Sequence, residues 1–211
     1  MSSWLRKNFD GIGLTQSPPG PHLAALQAKY GGTVLLCIDV SGSMTGKPLR
    51  EAIKGGEQFL TEAWGAYYRC GIVLWHDKVA RYVAPDASRE KVLSGLRSSV
   101  RSGGTNIVPA LEQALKVFRP LTGDRVLCVF GDGDLGNRRR AVMLSRELCA
   151  MGVRIVVRGL GRGAAEALAE LTCPGQHDDE QLITGEQHIG AGIASMAKGL
   201  TMRRKNGGWT G

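Results

Sequence analysis

Residues 34–45 read VLLCIDVSGSMT. From Thr33 to Val40 the run is apolar on every position except Thr33 and Asp39, which suits a strand covered on both faces rather than one with a wet side. It then breaks into Ser41, Gly42 and Ser43. In the spacing DxSxS the side chains of Asp39, Ser41 and Ser43 leave alternate positions of an extended loop, so three oxygen-bearing groups can converge on one point.

Working outward from this strand, the pattern repeats. Pro48 to Trp64 places Leu49, Ala52, Ile53, Phe59, Leu60, Ala63 and Trp64 on one helical stripe, with Pro48 confined to the first turn. Arg69–His76 and Lys78–Val83 are strand-like runs joined through Asp77, close enough for an antiparallel hairpin. Helices fit Arg89–Leu96 and Ile107–Phe118, followed by a strand over Arg125–Phe130 and a helix over Asn137–Ala150. Val153–Leu160 repeats the strand signal and Ala164–Leu171 the helix signal, before a weak strand near Gln181–Thr184 and a helix from about Ile189 to Leu200. The alternation predicts an α/β fold: a doubly wound, mostly parallel sheet with one antiparallel edge strand and helices on both faces. Residues 1–32, with SPPGP and a short helical stretch around Leu23–Ala28, read as an N-terminal arm. The domain spans 33–201, and 202–211 form a basic, glycine-rich tail.

Bulk properties restrict function. Of 211 residues, 43% are apolar and 22% charged, which suits one globular domain and excludes wholesale disorder. Lys and Arg exceed Asp and Glu by 27 to 19, a net charge of +8 that favours acidic partners. The runs Arg138–Arg140 and Arg203, Arg204, Lys205 lack interleaved aromatics, so they read as solvated faces rather than a nucleic-acid surface. No segment approaches the roughly 18 consecutive apolar residues of a membrane span, and the first twenty residues contain no apolar signal core. A cytoplasmic location is the expectation. Cys37, Cys70, Cys128, Cys149 and Cys173 are widely spaced and odd in number, so all five read as buried free thiols in a reducing compartment.

In doubly wound sheets ligands bind beyond the carboxyl ends of the strands, where the strand order reverses. Two further polar loops fall at that end: Arg101–Asn106 (RSGGTN), bringing Thr105 just before a helix, and Phe130–Asp134 (FGDGD), bringing Asp132 just after a strand. Gly103, Gly104, Gly131 and Gly133 let the backbone turn closely around a small object. Oxygen ligands at short range suit a hard divalent cation, Mg2+ first and Mn2+ second.

The ordered set DVSGS, SGGTN and GDG, with the late stretch LGRGAAEALAELTCPG (160–175), resembles a von Willebrand factor A domain of the small bacterial cytosolic type. The five residues match its metal-ion-dependent adhesion site. The resemblance implies a cation held directly by Ser41, Ser43 and Thr105, with Asp39 and Asp132 holding it directly or through water. One position is left for a Glu or Asp carboxylate of a partner protein. It further implies a closed form in which an aspartate binds the metal directly, and a context of AAA+ ATPases, stress response, tellurite resistance or kinase- and phosphatase-linked systems. Gly131 stands where many relatives carry threonine, and Asp134 adds a second carboxylate at the rim.

Other constellations are weaker. His76 reads as a surface or site-rim residue beside a hairpin aspartate, and His177–Glu180 as a solvated acidic loop without the ligand spacing of a calcium loop. GLGRG (159–163) is a turn rather than a dinucleotide fingerprint. A metal-dependent phosphoryl-transfer enzyme is the alternative to a binding module, but no P-loop lysine or DxDx nucleophile accompanies Asp39. An extracellular adhesion protein is the second alternative, disfavoured by the cysteine reading.

Overall fold

The computed structural model describes residues 31–98, 103–176, 181–198 and 200. The expected N-terminal arm, apart from Gly31 and Gly32, the basic tail, the acidic stretch 177–180 and the start of the RSGGTN loop lie outside the described residues.

Strand β1 (Thr33–Asp39) is buried at all seven positions. It lies between β2 (Arg69–Trp75) and β4 (Arg125–Gly131), parallel to both. With β3 (Val79–Val83), β5 (Val153–Leu160) and β6 (Leu182–Ile183) it forms a six-stranded sheet in the order β3-β2-β1-β4-β5-β6. Only β3 runs antiparallel, on the edge beside β2. From β1 the chain winds one way to β2 and β3, then returns to the other side of β1 for β4, β5 and β6. The order therefore reverses between β1 and β4. A crevice opens at such a point because the connections leave in opposite directions.

The expected doubly wound architecture is thus the one observed. Helices α1 (Lys47–Gly65), α2 (Arg89–Arg97) and α6 (Ile189–Ser195) cover one face, where Val34, Leu36 and Ile38 meet Phe59, Leu60, Leu96 and Ile193. Helices α3 (Val108–Phe118), α4 (Arg138–Ala150) and α5 (Arg162–Ala169) cover the other, where Leu35 and Cys37 meet Leu111, Phe118, Leu144 and Leu168. The alternation along β1 feeds two separate cores, which is why the strand reads as continuously apolar.

Boundaries shift where packing overrides the pattern. The last helix runs Ile189–Ser195, is interrupted by turns at Met196 and Ala197, and is helical again at Lys198 and Leu200. The helix expected from Ala164 starts two residues earlier, because Gly161 at φ 84° turns the chain straight from β5 into α5. Backbones of α1 and α6 meet at Gly55 and Gly190, where a Cβ on Gly55 would lie 2.5 Å from the Gly190 carbonyl oxygen.

The cysteines differ from expectation. Cys37, Cys70 and Cys128 are buried free thiols, but Cys149 and Cys173 form a disulfide with their Cα atoms 5.5 Å apart. Cys149 sits in the last turn of α4 and Cys173 just after α5, and both helices pack on β5 from the same face. A separation of 24 residues hides this adjacency in the sequence, since only the return of α5 onto β5 brings the two together. The argument for a reducing compartment therefore covers three cysteines, not five.

Two outcomes follow from these contacts. Thiol titration of the denatured chain should find three reactive groups before reduction and five after, with reduction lowering unfolding stability by about 3 kcal/mol in a urea titration. Gly55→Val should lower stability by about 1–3 kcal/mol in the same assay, because the Gly190 backbone leaves no room for a branched side chain.

Candidate functional site

Asp39 ends β1 with no solvent exposure, and Ser41 follows at 1%. The Ser41 N–H donates to Asp39 Oδ1 at 2.8 Å, folding the loop back over the carboxylate as a side-chain-closed turn. The Ser41 and Ser43 hydroxyls lie 3.2 Å apart, and Ser43 Oγ–H donates to Asp132 Oδ1 at 3.0 Å, linking the loop after β1 to the loop after β4. Ser43 occupies the 3-10 turn Gly42–Met44, which Met44 anchors in the core while Ser43 stays exposed. The four side chains of Asp39, Ser41, Ser43 and Asp132 therefore form one connected oxygen cluster at the switch point.

Thr105 is brought to this cluster by backbone hydrogen bonds on either side of it. Gly42 N–H donates to Gly103 O at 3.1 Å, Asn106 N–H to His76 O at 3.0 Å, and Ile107 N–H to Leu135 O at 3.2 Å. These three bonds tie the loop before α3 to the loops after β1, β2 and β4. Thr105 stands against Gly133, where an added Cβ would meet its Cγ2 at 3.4 Å and its Oγ1 at 3.6 Å. All five residues singled out from the sequence thus stand on adjoining loops at one end of the sheet.

The two rim residues fare differently. Asp134 is exposed and its Oδ1 accepts the Leu135 N–H at 2.6 Å, so its carboxylate closes its own turn. His76 is not a surface residue: it is 3% exposed, with Nδ1 against Asp77 and accepting the Asp77 N–H at 2.8 Å. A Cβ on Gly103 would come within 2.5 Å of this ring nitrogen. His76 is therefore a packing support beneath the Thr105 loop, buried because the glycines let that loop lie directly on the ring.

Two contributors were not singled out from the sequence. Asn106 fixes the loop after Thr105, its Oδ1 accepting the Val108 N–H at 3.2 Å at the start of α3; an asparagine just ahead of a helix is a recognised signal for this bond. Trp75 pairs in register with Asp39, is 1% exposed, and buries an indole N–H that has no hydrogen-bond partner among the described residues. Its ring explains Gly131, since a Cβ there would sit 3.4 Å from Trp75 Cζ2 and 3.3 Å from Asp39 Oδ2.

The electrostatics concentrate on Asp39. Its Oδ1 accepts the Ser41 N–H, the Asp132 backbone lies nearby and favours the charged form, and among the described residues Oδ2 has no hydrogen-bond partner by geometry. Burial, reinforced by the charge of Asp132, pushes the Asp39 carboxyl up to about 6 against the hydrogen bonds from Ser41. A buried carboxylate oxygen with no donor costs free energy unless a cation or proton meets it. Among the described residues no group of three or more His, Cys, Asp or Glu side chains forms. The cluster is instead a mixture of hydroxyls and two carboxylates, an all-oxygen donor set that fits a hard divalent cation.

Comparisons with known proteins agree with this fold. A comparison with curated protein sequences gives no match. Among solved structures, the von Willebrand factor domain of the type V pili tip protein Mfa5 from Porphyromonas gingivalis is similar at a TM-score of 0.63 and 14% identity, over 86% of this chain and 98% of that one. The pilus adhesin SpaC from Lactobacillus rhamnosus GG gives 0.64 at 13% identity, over 81% of this chain and 30% of the adhesin, so the present chain spans under a third of that protein. Proximal thread matrix protein 1 from the mussel byssus, solved with a zinc-occupied adhesion-site motif, gives 0.60 at 16% identity, over 80% of this chain and 46% of that one. At such identities the likeness is one of fold. The family model described as von Willebrand factor type A domain matches residues 34–134, the span from β1 through the loop that carries Asp132. Over residues 34–134 the chain matches the von Willebrand factor type A domain family, and its strand order is the fold it shares with these structural relatives.

Proposed function

We propose that this domain is a divalent-cation-dependent protein-binding module whose cation completes its coordination with a carboxylate from a partner. The single observation that carries the reading is Asp39 Oδ2, buried and without a hydrogen-bond partner among the described residues, in the loop whose Ser41 and Ser43 hydroxyls are linked. Ser41, Ser43 and Thr105 would hold the cation, with Asp39 and Asp132 balancing its charge. The zinc-occupied motif of the mussel protein supports a divalent ion at this kind of site. Here the absence of sulfur or nitrogen donors from the set favours Mg2+, with Mn2+ next.

The chain's own residues perform three tasks. Ser41 N–H holds the Asp39 carboxylate through Oδ1, leaving Oδ2 open to a cation, and the Ser43–Asp132 bond sets the distance between the two loops. Ser43 is exposed and Asp132 half-buried, so the cluster opens to solvent on that side and a partner carboxylate can approach there. Neutral hydroxyls leave a bound cation electron-poor and so attractive to that anion. A role in binding rather than catalysis fits this arrangement, since no side chain here is placed as a nucleophile with its own base. Partners of the kind the resemblance implies, an AAA+ ATPase or a kinase- or phosphatase-linked protein, are the first to test.

Calorimetric titration should show one Mg2+ site in the wild type and none in Asp39→Asn, whose amide preserves the bond from Ser41. Circular dichroism of that variant should match the wild type. Capture from a lysate on wild-type protein should retain partners in Mg2+ that EDTA releases and Asp39→Asn never holds; retention by the variant or in EDTA would sink the reading.

The pH dependence has a defined sign. With its carboxyl raised to about 6, folded cation-free protein holds a proton that the unfolded chain has already lost, so its stability falls as pH rises toward and through 6. A cation must displace that proton at lower pH. Mg2+ affinity should therefore be flat above pH 7 and fall by about tenfold per unit below 6, and the Mg2+-induced rise in Tm should be large at neutral pH and small at pH 5.

A further inference from the structure

We propose, resting on the cation-bridged reading above, that the partner carboxylate belongs to an acidic segment held by basic side chains that ring the site. Helices α1, α3, α4 and α5 all begin at the end of the sheet where Asp39 and Asp132 stand, and none carries an acidic residue in its first turn. Three of them carry the opposite charge there: Lys47 and Arg50 on α1, Arg138, Arg139 and Arg140 on α4, and Arg162 on α5. Helix dipoles disfavour cations at that position. Helix α2 starts at the opposite end of the sheet and differs in two ways: Ser88 accepts the Lys91 N–H as a cap, and Glu90 stands between Arg89 and Lys91, so its first turn is of mixed charge. Among the described α-helices, the first turns that carry basic residues with no acidic one therefore all lie at the end that bears the site.

Two of these helices also lack a side-chain cap. Gly46 precedes α1 and Gly161 precedes α5, both at positive φ (93° and 84°), so the first N–H groups of each helix point outward without a side-chain acceptor. Arg138 pairs with Glu170 and Arg140 with Glu112. Lys47, Arg50, Arg139 and Arg162 are exposed, and none has a side-chain partner among the described residues. The site itself cancels: Asp39 and Asp132 together carry two negative charges and a divalent cation two positive. The four unpaired basic groups, set against exposed Asp77 and Asp134, then decide the sign of the rim. An anion beyond the one bound to the cation is what this rim fits.

The observations favour a run of Asp or Glu in a protein over nucleic acid. The exposed aromatics among the described residues, Tyr67 and Tyr82, stand outside the site loops, so no platform for stacking bases accompanies the positive rim. The buried, unpartnered Asp39 Oδ2 independently points to a cation at the centre of the same surface.

Fluorescence anisotropy with two labelled peptides tests this, one with a single glutamate in a Gly-Ser frame and one with four consecutive glutamates. Wild type in Mg2+ should bind the four-glutamate peptide about tenfold tighter, with the difference shrinking as salt rises. The double variant Arg139→Ala/Arg162→Ala should lose most of that difference while keeping single-glutamate binding and Mg2+ affinity. Equal affinity for the two peptides, or an unchanged preference in the double variant, would overturn the rim while leaving the cation-bridged function standing. Binding of the four-glutamate peptide that persists in EDTA and in Asp39→Asn would instead overturn the cation-bridged function and the proposal with it. The proposal also fails if neither peptide binds at millimolar concentration, or if a single-stranded oligonucleotide of equal charge competes as well as the acidic peptide.

Discussion

A carboxylate fully removed from water at the end of a central strand is the constraint around which this end of the molecule is arranged. Asp39 is placed there because β1 is flanked by parallel neighbours on both sides and roofed on both faces, so a side chain at its carboxyl end has no route to bulk solvent. Such a group is costly, and one backbone N–H from Ser41 satisfies only one of its oxygens. The other oxygen makes sense beside hydroxyls that can share a cation with it. On the proposed reading, stability and cation binding would be coupled through that one atom, since what the cation-free fold loses by burying it is what a bound cation would gain.

The loop that carries Thr105 is held to its neighbours by backbone hydrogen bonds, while Ser43 and Asp132 link the loops after β1 and β4 through their side chains. Gly103, Asn106 and Ile107 each take part in a hydrogen bond to a different neighbouring loop, and none of those bonds uses an oxygen of the proposed ligand set. Glycines supply the closeness: His76 packs under Gly103, and Gly131 leaves space for both Asp39 and Trp75. The strongest ion pair of the sheet, Arg154 with Asp124 at 2.8 and 3.2 Å, lies at the far end, at the start of the strands, where Tyr68 also donates to Asp124. The two ends thus divide labour, one closed by matched charges and the other left with charges that a ligand completes.

Parallel connections explain why the charge pattern is one-sided. Every right-handed crossover onto a parallel strand starts its helix at the carboxyl end of the preceding strand, so helix N-termini gather at the site without any further design. The antiparallel β3 sends α2 in with the reverse polarity, and that helix carries an acidic residue, Glu90, in its first turn between Arg89 and Lys91. Topology thereby collects both the helix dipoles and the basic first turns of α1, α4 and α5 on one surface.

The amino-acid sequence by itself determined the strand and helix alternation, the single antiparallel edge strand, and the five oxygen-bearing residues on three loops, because burial on two faces and DxSxS spacing are local properties. It did not determine the Cys149–Cys173 bond, the burial of His76, the place of Trp75 beside Asp39, or the pairing of Arg138 and Arg140 that leaves Arg139 unpaired. Each of these depends on which residues from distant segments come to lie side by side. Local periodicity fixes which face of an element is apolar; only packing one element against another decides which thiols meet, which imidazole is covered by a glycine loop, and which charge is left facing solvent.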